Sequence, residues 1–333
     1  MRNRRADIDM AKGLAILLVV FGHLVARQDP QGVHWYEPLR RTVYAFHMPF
    51  FLYLSGLVAA SFGFLAASRA AFWPAVRGRA RRLLLPFFGL GLLVLAGKLI
   101  AARFLFVDHV PASVPAGLDG LFWHTAASPA LSVWYLFVLF VLSTAVLWLL
   151  DGRRERLPWL LAGSLLLCWL PVPAYCYADR VFTYAPFFLI GAAAGAAGPR
   201  WNRLMDRFWP LALAALLAGL ACVALWGQGE EQEAVMLPLG ALSMPALHGA
   251  MRRIKPGKLH AALLFFGRYS FIIYLGNTIC IGLAKGVMLR FMSWNGQHFL
   301  VFAPLLMAAG VFGPIALKRH GFARLPALDR LTD

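Results

Sequence analysis

The sequence predicts an all-α, polytopic integral membrane helical bundle of about ten transmembrane helices with both termini cytoplasmic. Three observations carry that expectation: the composition, a series of apolar runs, and the side on which the basic loops fall. Of 333 residues, 60% are hydrophobic and 14% charged, and mean hydropathy is +0.67. Soluble domains carry about 25% charged and about 45–50% apolar residues. So much apolar surface exceeds what a water-soluble core hides, which excludes an ordinary cytosolic enzyme. It also excludes disorder, which needs low hydrophobicity. The 26 Phe and 11 Trp suit a bilayer protein with aromatic interfaces. The net charge of +17 reads as basic cytoplasmic loops facing anionic lipid and phosphorylated metabolites, with no nucleic-acid partner.

A spanning helix needs about 20 mostly apolar residues. Ten segments approach that length. The first, near 11–27, follows a basic start that superficially resembles a secretory leader. Asp7, Asp9 and Lys12 break that pattern and no small-residue cleavage site follows, so a retained first helix is expected. The second (43–65) and third (83–106) flank the basic stretch from Arg69 to Arg82. The fourth (133–150) and fifth (157–172) flank Arg153 to Arg156, and the fifth and the sixth (182–198) are short. The seventh (209–227), eighth (234–250), ninth (266–288) and tenth (298–317) complete the series. Pro158, Pro171, Pro173 and Pro210 stand at helix edges, where a missing N–H costs little.

With the N-terminus inside, 23 of the 32 Lys and Arg fall in inside segments, 6 outside, and Lys98, Arg268 and Lys285 within spans. That is the bias of the positive-inside rule. An odd number of spans scrambles this alternation. The acidic residues Glu230, Glu231 and Glu233 fall outside. No repeat, low-complexity tract or soluble domain interrupts the series, and the longest loop runs from Asp108 to Ser132. One membrane domain, 1–333, is therefore expected. The cysteines, Cys168, Cys176, Cys222 and Cys280, form no CxxC pair and no zinc spacing, so neither a disulfide framework nor a metal is inferred.

The first span reads from Asp7 through Lys12 to His23. Lys12 and His23 are eleven residues apart, three turns plus about 20°, so they share a face. Their axial separation is about 16 Å at 1.5 Å per residue. Lys12 thus lies at the cytoplasmic rim and His23 beyond the bilayer middle. An intramembrane His points to function by default, and the plainer alternative is a packing His bonded to a neighbouring span. For Lys12 the plainer alternative is an orientation-setting charge. His47, in Phe46-His47-Met48-Pro49, enters from the outside about one turn down. In an antiparallel neighbour it comes near the depth of His23, where two imidazoles can share a proton. The alternative is an interfacial His. Pro49 frees a backbone carbonyl, which suits a cavity wall. Arg79 and Arg82 lie one turn apart, and a guanidinium pair suits phosphate oxygens in fork geometry. Plain positive-inside charge explains them as well.

The sequence resembles the integral-membrane acyltransferase 3 family, within it the fucose 4-O-acetylase-like branch. The resemblance rests on IDMAKGLAILLVVFGHL, FHMPFFLYLSGL and the basic RGRARRLLLPF, in that order. It continues through Trp134-Tyr135-Leu136, the stretch Tyr184 to Gly191, Phe266-Gly-Arg-Tyr-Ser270 and Ile273-Tyr274-Leu275. These landmarks cover about 270 residues, and the ten-span, N-inside plan is similar too. The resemblance implies that His23 is the catalytic base, that Lys12 helps hold the acyl donor, and that Arg79 and Arg82 meet coenzyme A phosphates. Where the family often has His after Ile-Tyr-Leu, this chain has Asn277, which can orient a hydroxyl but cannot take a proton.

The expected function is transfer of an acyl group, acetyl by analogy, from cytoplasmic acetyl-CoA to a sugar hydroxyl of an envelope or exported glycan or lipid-linked sugar. His23 removes the hydroxyl proton as the oxygen attacks the thioester, by direct transfer or through an acyl-His intermediate. His47, Trp134 and Asn277 are expected to guide the acceptor. The expected place is the lipid bilayer of a bacterial inner membrane. A multispan transporter or lipid-carrier flippase explains intramembrane histidines equally well. It does not need an arginine pair at the inner rim. A structural subunit of a glycan export complex, without chemistry, is the other alternative.

Overall fold

A computed structural model describes residues 5–25, 30–104, 107, 109–226 and 232–324. Arg2, Arg4, Arg27, Glu230, Glu231 and Arg330, which entered the loop-charge argument, lie outside the described residues.

The described residues are helical, with isolated bridges at Gln31–Asn295 and His124–Tyr175 and no strand. First come α1 (Ala6–Gly22), α2 (Tyr36–Tyr44) and α3 (His47–Ser61). Then follow α4 (Phe72–Ala101), α5 (Val114–Phe122), α6 (Trp134–Leu150), α7 (Leu157–Leu167) and α8 (Ala178–Ala197). The rest are α9 (Pro199–Trp226), α10 (Gln232–Ser243), α11 (Gly249–Arg253), α12 (Lys258–Arg268), α13 (Ser270–Met288) and α14 (Gly296–Ala316). A π-turn, Met244–His248, joins α10 to α11.

Each of the ten predicted segments contains a helix among the described residues, but not all of these helices reach across a bilayer. Among the described residues seven helices are long and apolar enough: Tyr36–Ser61, Arg69–Ala101, Ala178–Ala197, Pro199–Leu225, Ala234–Arg253, Ser270–Met288 and Gly296–Gly321. The predicted first, fourth and fifth spans are the exceptions. Helix α1 has 17 residues, and α7 has 11. At 1.5 Å per residue these are about 26 Å and about 17 Å, short of the ~30 Å hydrocarbon core. Helix α6 with the stretch Arg154–Leu167 passes only as a pair bent by 115°, which brings the count to eight.

The chain forms two compact units, with the boundary inside α3. The first comprises Met1–Leu54 and Pro199–Asp333. Its backbone packing is closest between α1 and α12. A Cβ on Gly13 meets the Leu263 carbonyl oxygen, and one on Gly267 meets the Asp9 carbonyl oxygen. Small residues let membrane helices approach in this way, and van der Waals contact replaces the hydrophobic drive that lipid removes. A patch of Ala45, Ala212, Leu216, Leu239 and Ala246 joins α9 and α10 to the turn between α2 and α3.

Helix α1 stops five residues earlier than the apolar pattern suggests, and two tyrosines explain why. Tyr36 donates to the Phe21 carbonyl at 2.7 Å and Tyr44 to the Gly22 carbonyl at 3.0 Å. These carbonyls are among those a helix leaves without an internal partner at its C-terminus. Pro49 stands in the first turn of α3, inside the Tyr36–Ser61 span.

The second unit, Ser55–Gly198, packs aromatic rings around Phe87. Phe137 lies at 5.3 Å and Tyr177 at 6.0 Å between ring centroids.

Candidate active site

In the first unit, His23 follows the last residue of α1 and its ring is half-buried. Its Nδ1 lies 2.7 Å from Oδ1 of Asn277, which is fully buried on α13. The direction of that bond is determined. The Asn277 amide nitrogen donates to the Ile273 and Tyr274 carbonyls at 2.9 and 2.8 Å, so its oxygen must be the atom facing the ring. A carbonyl oxygen only accepts. His23 therefore carries its proton on Nδ1, and the neutral ring keeps a lone pair on Nε2. Fixing the tautomer through one ring nitrogen readies the other for proton abstraction.

Asn277 thus meets His23 itself. Replacing Asn277 with leucine is expected to lower kcat by about 10–100-fold, the equivalent of ~1–3 kcal/mol for an unsatisfied buried partner. Asn277→Asp retains an acceptor for Nδ1–H and should recover most of the rate. Equal losses in both variants would show that the bond does not orient the His23 ring.

His47 is buried at the start of α3, and its Nδ1 donates to the Val43 carbonyl at 2.8 Å. Its ring meets Tyr44 edge-on at 4.9 Å, and Tyr44 in turn bonds the Gly22 carbonyl next to His23. Each histidine thus has its own Nδ1 acceptor, and the described bonds give no proton shared between them. Lys12 Nζ is 3.9 Å from Asp9 Oδ1 on the same helix.

In the second unit, Arg79 is half-buried on α4, and its Nε donates to Ser143 Oγ at 3.0 Å while its guanidinium lies 4.8 Å over Phe64. Among the described residues no carboxylate pairs with it. Arg82 is exposed one turn on. Trp134 opens α6 nearly buried, stacked on Tyr184 at 5.0 Å. Among the described residues no group of His, Cys, Asp and Glu has metal-site geometry.

The sequence reading missed a second polar cluster in the first unit. His248, wholly buried at the end of the π-turn, places Nε2 3.2 Å from Asp7 Oδ2 and Nδ1 2.9 Å from the Tyr53 hydroxyl. Trp201 Nε1 donates to Tyr53 at 2.9 Å. Arg5 and Arg252 donate to Asp7 at 2.7 and 3.2 Å, and Arg252 grips Asp206 through two further bonds. An indole only donates and a carboxylate only accepts, so Trp201 donates to Tyr53 at one end of the cluster and Asp7 accepts from His248 at the other. The same rule that singled out His23, an ionisable group within an apolar span, applies to His248. The π-turn that aims it has no counterpart in the sequence pattern.

A family model described as an acyltransferase domain matches residues 5–319. The chain is 23% identical over 347 residues to nodulation protein NolL of Mesorhizobium japonicum, a match covering 95% of this chain and 87% of that protein. It is 32% identical over 193 residues to nodulation protein NolL of Sinorhizobium fredii, covering 57% of this chain and 48% of that protein. No solved structure matches.

Proposed function

The chain belongs to the acyltransferase 3 family, a multi-pass membrane acyltransferase, and from that premise we propose that it moves acetyl from cytoplasmic acetyl-CoA to a sugar hydroxyl. The family model runs through both compact units, which supports reading 1–333 as one catalytic domain. The observation that carries the mechanism is the bond from His23 Nδ1 to Asn277, because it leaves Nε2 as the base. Nε2 takes the hydroxyl proton while the oxygen attacks the thioester carbonyl. The carbon–sulfur bond then breaks, and the imidazolium returns the proton to the departing thiolate, so no proton is gained or lost overall. Asn277 holds the ring through both steps.

Lys12, Arg79 and Arg82 bind the phosphates of the donor. A guanidinium held by Ser143 and the Phe64 face is preorganised for an anion. The basic loops support an inner-membrane protein with both termini in the cytoplasm and about ten membrane passages, the short α1 and the bent α6–α7 pair included. The acceptor follows from the resemblance to the fucose 4-O-acetylase-like branch: an envelope glycan or lipid-linked sugar.

Purified protein should release free thiol from acetyl-CoA when a sugar acceptor is present, which a transporter does not do. Arg79→Gln is expected to raise KM for acetyl-CoA by about 10–100-fold, the equivalent of ~1.5–3 kcal/mol for a charged hydrogen bond, at little cost to kcat. The KM of a phosphate-free thioester, acetyl N-acetylcysteamine, should not move. A parallel rise for both donors would assign Arg79 to packing instead. Mass spectrometry of envelope glycans from wild-type and deletion strains then identifies the acceptor by the mass of one acetyl group.

A further inference from the structure

The Phe266-Gly-Arg-Tyr-Ser270 stretch and a second π-turn, Leu317–Gly321, have no task in the transfer chemistry, yet they meet in the first unit. Arg319, in that π-turn, is exposed, and its Nε donates to the Tyr269 hydroxyl at 3.1 Å. Its guanidinium lies 5.2 Å from the Tyr269 ring centroid and 5.5 Å from that of Phe265. The two rings brace each other at 5.0 Å. Cation–π contact engages the flat face of a guanidinium and leaves its N–H edge available. Among the described residues no acceptor meets the two Nη groups of Arg319 or the hydroxyl proton of Tyr269.

The surroundings select the charge of what that edge meets. Between Glu233 and Asp329 the chain has ten Lys and Arg and no Asp or Glu. Arg268 is exposed beside Tyr269, and Lys318 precedes Arg319. Asp9, whose carbonyl faces Gly267, keeps its carboxylate 3.9 Å from Lys12. The same face continues into apolar surface. Leu305 and Phe312 are seven residues apart, so they share a side of α14, and they are 50% and 54% exposed. Phe312 lies 6.2 Å from Phe266 of α12, as Arg319 lies on Phe265 and Tyr269. Stripe and guanidinium thus follow one accessible seam along α12 and α14. The span Gly296–Gly321 has 26 residues, about 39 Å at 1.5 Å each. That exceeds the ~30 Å hydrocarbon core and sets its last turn among the headgroups.

We infer that this seam binds an anionic phospholipid, with its phosphate on the Arg319 Nη edge and the Tyr269 hydroxyl and an acyl chain along Phe312 and Leu305. The inference goes beyond the acyl-transfer reading and needs none of it. A guanidinium fork matches two phosphate oxygens, and the hydroxyl supplies a third donor. A choline headgroup would bring a further cation beside Arg268 and Lys318, which opposes it. The exposed stripe below the guanidinium is what favours a lipid over a soluble phosphate.

The test titrates the full chain, delipidated in detergent, with dioleoylphosphatidylglycerol or dioleoylphosphatidylcholine and reads bound lipid by native mass spectrometry. Phosphatidylglycerol should bind about 10-fold more tightly than phosphatidylcholine. Arg319→Gln should weaken phosphatidylglycerol by about 10–100-fold and erase that preference. Arg319→Lys keeps the charge without the fork and should lose less. Tyr269→Phe keeps the ring without the hydroxyl and should weaken binding by about 3–10-fold. Arg324→Gln is the control, an exposed cation near the same helix end with no ring contact among the described residues, and should bind as wild type does. Lipid-free Arg319→Gln should melt at the wild-type temperature, and Arg319→Lys and Tyr269→Phe carry the test if it does not. Undiminished phosphatidylglycerol binding in the Arg319 variants overturns the proposal. So does an equal loss in Arg324→Gln, which marks diffuse charge. Displacement of the lipid by equimolar inorganic phosphate or coenzyme A overturns it in favour of a soluble phosphate.

Discussion

Alanine in place of His23 is expected to reduce thiol release from acetyl-CoA by about 10²–10⁴-fold, the range for removal of a general base. Alanine also removes the donor that faces Asn277, and a buried acceptor left unmatched costs ~1–3 kcal/mol of stability. Lost activity in that variant alone could therefore reflect a disturbed α1–α13 contact. His23→Gln separates the two effects. Its amide N–H can still reach the Asn277 oxygen, while it has no basic nitrogen. A folded, inactive His23→Gln protein with near wild-type thermal stability is the expected result. Turnover at the wild-type rate in either variant removes His23 from the chemistry. His47→Gln is the companion measurement, since its Nδ1 is committed to the Val43 carbonyl. A loss smaller than that of His23→Gln fits a ring that supports Tyr44 and the end of α1.

The second large effect is on folding. Valine at Gly267 is expected to destabilise the protein by about 3 kcal/mol or more, the upper range for overpacking. The atom in its way is the Asp9 carbonyl oxygen, part of a helix backbone that cannot rotate aside as a side chain can. Gly282, on α13, has open space where a Cβ would stand, with nothing within 4 Å, so Gly282→Ala is the control. Thermal unfolding followed in detergent should show a lowered Tm for Gly267→Val and none for the control. Equal Tm values would mean that α1 and α12 do not touch.

Much of this fold is legible in the sequence because a bilayer demands apolar length, and length is visible. Each of the ten expected segments contains a helix, and Lys12, Arg79 and Arg82 stand on helices. The limits of α1 were not legible, because Tyr36 and Tyr44 end it from a helix that comes later in the chain. The partner of His23 was not legible either. Residue 277 lies 254 positions away, and only packing brings its amide to the ring. From sequence it is a group that can orient a hydroxyl but not take a proton, whereas in the structure its oxygen faces the imidazole. Asp7 appeared as a charge that breaks a leader pattern, and nothing local foretold that His248, Arg5 and Arg252 converge on it.

The reciprocal glycines of α1 and α12 also bear on motion. Two helices whose main chains touch through Gly13 and Gly267 have no side-chain layer to slide upon, so they move as one stiff strut. Only Tyr269 separates α12 from α13, which carries the amide opposite the imidazole. His23, at the end of α1, and the Asn277 amide that meets it therefore ride on a single mounting.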